Sequence, residues 1–157
     1  MNEFEVSLII PTYNRKSSLE QVLQVISSQT CGVEAFEVIV VDDGSTDDTP
    51  QLASNSYPYC MNYIRQENKG AAEARNRGAR EARGRILQFL DDDIQINSGF
   101  LEAVLQGHAL EERVIVVGNL QIPPRENPTV FQQVYEANTA SPPPIGEGEE
   151  FVRIPYT

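Results

Sequence analysis

Asp91, Asp92 and Asp93 follow directly on an apolar run at residues 86–90 that reads as a buried strand. At about 5 Å and an effective dielectric near 20, each pair of these carboxylates repels by roughly 3 kcal/mol, so the cluster asks for a compensating cation. A divalent metal is the simplest candidate. It brings a phosphate-bearing ligand with it, because a small hard cation is commonly held by one or two carboxylates together with substrate phosphates.

Two further polar motifs close apolar runs: Pro11-Thr12-Tyr13-Asn14 and Asp42-Asp43-Gly44-Ser45. Each alone has an ordinary reading, as a turn into a capped helix or a turn carrying an N-cap. The aspartate triplet could likewise be a solvated loop. Taken together they carry more weight, since an open parallel sheet gathers its ligands at the carboxyl ends of its strands, and acid clusters with perturbed ionisation concentrate at functional sites.

The elements needed to bring the motifs together are legible. Short β-rich runs at 5–10, 36–41, 61–65, 86–90 and 114–117 alternate with helical patterns, the signature of an α/β fold with a mostly parallel sheet flanked by helices. Val38-Ile39-Val40-Val41 has the continuous apolarity of a central strand covered on both faces. Leu19, Val22, Leu23 and Ile26 recur at helical spacing, with Ser17 and Glu20 as a candidate capping box. A short helix is expected from about Thr46 with Pro50 in its first turn, an Ala-rich one over 70–83, and a fourth over 99–106 with Leu101, Val104 and Leu105 on one side. Gly78 lowers the propensity of the third by roughly 1 kcal/mol relative to Ala, which points to close packing there.

At 157 residues the chain fits one domain. No apolar stretch reaches the length of a membrane span, and the acidic start Met1-Asn2-Glu3-Phe4-Glu5 lacks the pattern of a secretory signal, so a cytoplasmic location is expected. Cys31 and Cys60 form no Cys-x-x-Cys spacing and are expected as buried, reduced side chains. The single histidine, His108, excludes a His-based metal cluster and is expected at the surface or capping a helix end. A net charge of −11 argues against nucleic-acid binding. The basic residues are nonetheless concentrated: Lys69, Arg75, Arg77, Arg80, Arg83 and Arg85 are half of the 12, and they predict a local positive field. Arg77, Arg80 and Arg83 read as a solvated helix face. Lys69 and Arg75 flank Gly70 at a helix start, where free N–H groups and the helix dipole favour an anion.

SLIIPTYNR (7–15), VIVVDDGSTDDT (38–49), NKGAAEARNRG (68–78) and ILQFLDDD (86–93), in this order and spacing, resemble the family 2 inverting glycosyltransferases of GT-A fold. The resemblance covers most of residues 5–120. It implies that Pro11, Thr12 and Tyr13, with Asn14 beside them, line the nucleotide base, and that Asp43, assisted by Asp42, hydrogen-bonds that base, usually uracil. Lys69, Gly70 and Arg75 would run beside the diphosphate. In the DxD-type motif Asp92 would reach the ribose and Asp93, with Asp91, would hold Mn²⁺ or Mg²⁺. The resemblance thus implies a metal-dependent transfer, with inversion, from a nucleotide sugar to a saccharide or lipid-linked acceptor, the intact enzyme working in the cytoplasm or at the inner membrane face.

Inversion by direct displacement needs a general base for the acceptor hydroxyl. The resembled family supplies it from an acidic segment beyond the DxD motif, after a Gly-Gly-Phe-Asp-like stretch, and neither element occurs in this sequence. Glu147, Glu149 and Glu150 sit among glycines like a solvated loop and are not assigned that role. Residues 1–120 are therefore expected to be the nucleotide-sugar-binding core. Residues 121–157 are expected to be a mobile connection and the start of a truncated acceptor region, the C-terminal acceptor half being absent. An unfinished sheet edge in such a chain could pair with a second copy as a homodimer. Two other readings stand beside the enzyme: a non-catalytic nucleotide-sugar-binding or interaction domain, and a phosphoacceptor signalling domain. The position of Asp42-Asp43 after the second strand rather than the first weakens the latter.

Overall fold

Continuous apolarity at residues 38–41 has the outcome expected of it in the computed structural model, which describes residues 3–110: every residue of that strand is buried. The sheet comprises β1 (Phe4–Thr12), β2 (Phe36–Asp42), β3 (Cys60–Arg65) and β4 (Gly84–Phe89), all parallel, in the order β3-β2-β1-β4. Strand order reverses beside β1, so a crevice opens between the ends of β1 and β4. Connecting them are α1 (Lys16–Ile26), a 3₁₀ helix (Thr49–Ser54), α2 (Ala71–Glu81) and, after β4, α3 (Phe100–Leu110). The expected strand at 114–117 and everything expected of residues 121–157, Glu147, Glu149 and Glu150 included, lie outside the described residues.

Alternation along the strands divides the core in two. On one face Leu8, Ile10, Val38, Val40 and Ile86 pack with Leu19, Leu23 and Ile26 of α1 and Leu101 and Val104 of α3. On the other, Ile9, Ile39 and Val41 meet Ala74 of α2. Gly78 explains how closely α2 sits: a Cβ there would lie 2.4 Å from Ile9 Cγ2 and 3.3 Å from Val41 Cγ2. Ile9 is branched at Cβ and cannot swing away. Gly78→Ala is therefore expected to lose stability overall, by about 1–2 kcal/mol, overpacking outweighing the roughly 1 kcal/mol gain in helix propensity; the urea midpoint measures it.

Several local expectations are corrected. Ser17 and Glu20 form no capping box: α1 starts at Lys16 with Arg15 at its N-cap and no side-chain cap bond. The Arg15 N–H donates instead to Thr49 Oγ1 at 3.2 Å, so a neighbouring loop anchors the helix start. The helix expected from Thr46 is a 3₁₀ helix beginning at Thr49, Pro50 in its first turn. α2 is shorter than 70–83 because Gly70, at φ 89°, lies outside it as the N-cap. Both cysteines are free, but Cys60, at the start of edge strand β3, is exposed and Cys31 only partly buried. His108 lies in the last turn of α3, where burial and then nearby Arg85 push its pKa down. β4 forms the other edge of the described sheet, with Leu87 and Phe89 exposed. No helix among the described residues is long and apolar enough to cross a membrane.

Candidate active site at the carboxyl edge of the sheet

The loops after β1 and β2 are stitched together before any ligand is considered. Asn14 takes a left-handed φ of 53°, which Asn tolerates better than most residues. Its Oδ1 accepts from the N–H of Thr46 at 2.7 Å and of Asp47 at 3.3 Å, and its own N–H donates to Ser45 Oγ at 2.9 Å. Asn14 thus acts on the shape of the crevice. Pro11 is buried within β1, in register with Val41, one residue before the strand end. Tyr13 stands out at the strand end, 46% exposed.

Asp42 and Asp43 divide the work at the end of β2. Asp42 is fully buried, accepting from Ser45 N–H at 2.7 Å and from the Tyr63 hydroxyl at 3.0 Å, with Arg65 Nε 3.6 Å away. It holds the turn that Gly44, at φ 82°, permits. Asp43 reaches across to the start of α2: Oδ1 accepts from Lys69 N–H at 2.9 Å and Gln66 Nε2 at 2.7 Å, and Oδ2 from Gly70 N–H at 2.8 Å. Burial acts to raise the Asp43 pKa, but the Lys69 N–H, the Gln66 amide and the Gly70 N–H outweigh it, and the carboxyl lies below its ordinary value.

A depressed carboxyl contributes stability that is fully present above the unfolded pKa of about 3.9 and is lost as pH falls through the lower native value. Asp43→Asn is therefore expected to unfold more easily at neutral pH and to show a flatter loss of stability below about pH 4. Urea midpoints between neutral and acid pH measure both.

Lys69, Gly70 and Arg75 are brought to this crevice by α2. Nothing lies within 4 Å of where a Gly70 Cβ would stand, so the space beside the helix start is open. Lys69 is exposed and makes no ion pair among the described residues. The local positive field expected from residues 69–85 is largely neutralised: Arg75 pairs with Asp91, Arg77 with Glu81, Arg80 with Glu73 and Arg85 with Glu5. Arg83 lies beyond the end of α2, and although half-exposed it is tied into the fold rather than simply solvated. It forks onto buried Glu37, with Nε at 3.0 Å and Nη2 at 2.7 Å from Oε2.

The aspartate triplet splays. Asp91 turns to Arg75, and Asp93 to Arg15 Nη1 at 2.8 Å. Asp92, 7% exposed, turns inward and accepts from Thr12 Oγ1 at 2.7 Å, bridging the ends of β1 and β4. Burial pushes the Asp92 pKa up; the Thr12 hydroxyl and Arg15 oppose this, and Asp93 and Asp91 add to it. Asp92→Asn keeps an acceptor for Thr12 and removes a disfavoured charge, so at pH 7 its urea midpoint is expected to equal or exceed that of the parent. Arg15 is the residue the sequence reading missed: it follows the Pro11–Asn14 motif directly, and its contact lies 78 positions away.

Among the described residues no group of three His, Cys, Asp or Glu side chains converges as a metal cage. The donor set fits a divalent ion all the same. Asp91 and Asp93 are half-exposed at the mouth of the crevice, and Mg²⁺-type sites take one or two carboxylates, leaving other positions to phosphate and water.

Loops at the carboxyl edge of a parallel α/β sheet, acidic at the reversal of strand order and bordered by a helix N-terminus, define an open α/β protein with a polar crevice at its strand ends. The chain belongs to glycosyl transferase family 2, whose profile matches residues 7–148, and its sheet is that of the GT-A fold. It is 42% identical over 108 residues to validoxylamine A glucosyltransferase of Streptomyces hygroscopicus subsp. jinggangensis, covering 66% of this chain and 25% of that one. Glycosyltransferase AglE of Haloferax volcanii is 39% identical over 100 residues, 62% of this chain and 33% of its own. Among solved structures, S. aureus TarS 1-349 in complex with UDP-GlcNAc superposes with a TM-score of 0.65 at 26% identity, over 77% of this chain and 37% of that one. The mannosyltransferase PcManGT from Pyrobaculum calidifontis, in complex with GDP-Man and Mn²⁺, gives 0.60 at 33% identity, over 64% and 31%. The chain therefore spans about a quarter to a third of the length of the curated relatives described.

Proposed function

We propose that this chain is mainly the donor-binding part of a metal-dependent glycosyltransferase that moves a sugar, with inversion, from a UDP-sugar to a saccharide or lipid-linked acceptor. One observation carries the reading: Asp43 fixes the start of α2 through the Lys69 and Gly70 N–H groups, and Arg75 of α2 pairs with Asp91, so the start of a helix and the acid triplet border the same crevice. Tyr13, 46% exposed, would stack on the base, with Asp43 as its hydrogen-bond acceptor. Each Asp43 oxygen already accepts from α2 or its loop, and a carboxylate has lone pairs for more. Lys69 and the Gly70 segment would take the diphosphate. Asp92 would approach the ribose, and Asp93 with Asp91 would hold Mn²⁺ or Mg²⁺.

A bound divalent ion supplies Lewis-acid stabilisation of the leaving nucleoside diphosphate. The chain's own residues orient and neutralise: the α2 N-terminus meets phosphate charge with fixed dipoles, and Asp42 and Asn14 keep the loops in shape while the donor enters. The sugar-bound neighbours support a nucleotide donor; UDP is preferred here on TarS and GDP is the competitor on PcManGT. No general base is assigned in this chain, so transfer by it alone is expected to be weak or absent.

Calorimetric titration of UDP and of GDP, in Mn²⁺ and in EDTA, tests the proposal. Saturable UDP binding that needs Mn²⁺ is expected, with GDP at least about tenfold weaker, a difference of about 1.4 kcal/mol. Equal UDP affinity in EDTA would remove the metal from the proposal, and no nucleotide binding by a folded chain would remove the donor site.

A further inference from the structure

Arg15 and Arg75 come from different helices, yet each ends on the acid triplet. Arg15, at the N-cap of α1, places Nη1 2.8 Å from Asp93 Oδ2 and Nε 3.9 Å from Asp92 Oδ1. Arg75, from α2, holds Asp91 on the other side. The cluster that should demand a cation already has two.

We propose that Arg15 and Arg75 are exchangeable counter-ions, holding Asp93 and Asp91 while the crevice is empty and passing to the donor's diphosphate when a divalent ion takes the carboxylates. This rests on the donor-site reading above. Both ion pairs are half-exposed, and such pairs are individually weak, so a dication can displace them. The guanidinium fork that matches a carboxylate matches a phosphate equally well. A diphosphate would therefore give both arginines a partner in place of the carboxylates that the ion takes.

Charge makes the exchange cooperative. A dication arriving alone must expel two guanidinium groups, and of their alternatives among the described residues only buried Asp92, 3.9 Å from Arg15 Nε, is at hand. A diphosphate arriving alone faces three carboxylates. Together they add about no net charge, and every displaced group finds a partner. Metal and nucleotide should each raise the other's affinity by the same factor.

The test measures Mn²⁺ alone by the paramagnetic resonance of the free ion, and UDP by calorimetry with and without saturating Mn²⁺. It uses the full chain and its Arg15→Gln and Arg15→Lys variants. In Arg15→Gln, Mn²⁺ alone is expected to bind about threefold tighter, a competing cation having gone, while UDP in Mn²⁺ binds about five- to tenfold weaker. Arg15→Lys should recover part of the UDP loss. Damage to the fold cannot produce opposite signs, because it weakens both. Loss of both affinities together, or no change in either, overturns the proposal while leaving wild-type UDP binding as support for the donor site. Absence of Mn²⁺-dependent UDP binding in the wild type overturns both.

Discussion

Asp93→Ala is expected to weaken Mn²⁺-dependent UDP binding at least about 100-fold, close to 3 kcal/mol, with little change in fold stability. The two halves of that expectation have separate grounds. Asp93 is half-exposed and its contact within the fold is the surface pair with Arg15, an arrangement worth about 0.2–1 kcal/mol at most. As a metal ligand, by contrast, it would help hold the ion that offsets repulsion between the donor's diphosphate and the acids, and its loss would leave Asp91 as the one half-exposed carboxylate of the triplet. Asp91 points towards Arg75 and Asp92 is turned inward to Thr12. Calorimetry in saturating Mn²⁺, beside a urea melt of the same variant, measures both halves. Unchanged UDP affinity in Asp93→Ala would return the triplet to the solvated-loop reading.

What was legible in the sequence is what depends on periodicity and chain order. The strands starting near residues 5, 36, 61 and 86 form, since apolar runs of five or six residues have few places to go in a chain this size. α1 buries Leu19, Val22, Leu23 and Ile26, the four its spacing selects, and the Gly78 contact with Ile9 follows from a glycine placed where a helix must approach a sheet. The three polar motifs do converge at the carboxyl edge of the sheet.

Partner choice among charged side chains was not legible. Asp43 reads as a residue free for a ligand, yet it holds Lys69 and Gly70 from 26 and 27 positions away. Ser17 and Glu20 have the spacing of a capping box, yet Thr49 takes over the anchoring of the helix start from another loop. Each is a tertiary contact overriding a local preference, and local sequence carries no record of it.

Glu37 is the sharpest such case, and Arg83→Ala is expected to expose it, destabilising the fold by about 3 kcal/mol. Glu37 sits with no exposed surface at the amino end of a strand whose next four residues, Val38 to Val41, are all apolar. Its carboxylate accepts from Ser7 Oγ and Arg83 N–H, both at 2.7 Å, besides the Arg83 fork. Ser7 Oγ accepts in turn from Gly84 N–H at 2.8 Å, so one carboxylate ties β1, β2, the segment after α2 and the start of β4. Without the guanidinium, a buried charge keeps only neutral donors. Because Arg83 itself is 44% exposed, water can partly replace it, which holds the expected loss near the lower end of the usual 3–5 kcal/mol or so for such pairs. Replacing both partners by apolar residues should recover part of the loss, since no charge is then stranded. Urea unfolding of the two singles and the double measures the coupling. The network lies at the amino edge of the sheet, about 20 Å along the strands from the crevice, so folded Arg83→Ala should keep its UDP affinity within about twofold, well under 1 kcal/mol. A large loss of affinity there would mean that the hold on the end of α2 also sets the position of Lys69 and Gly70 at its start.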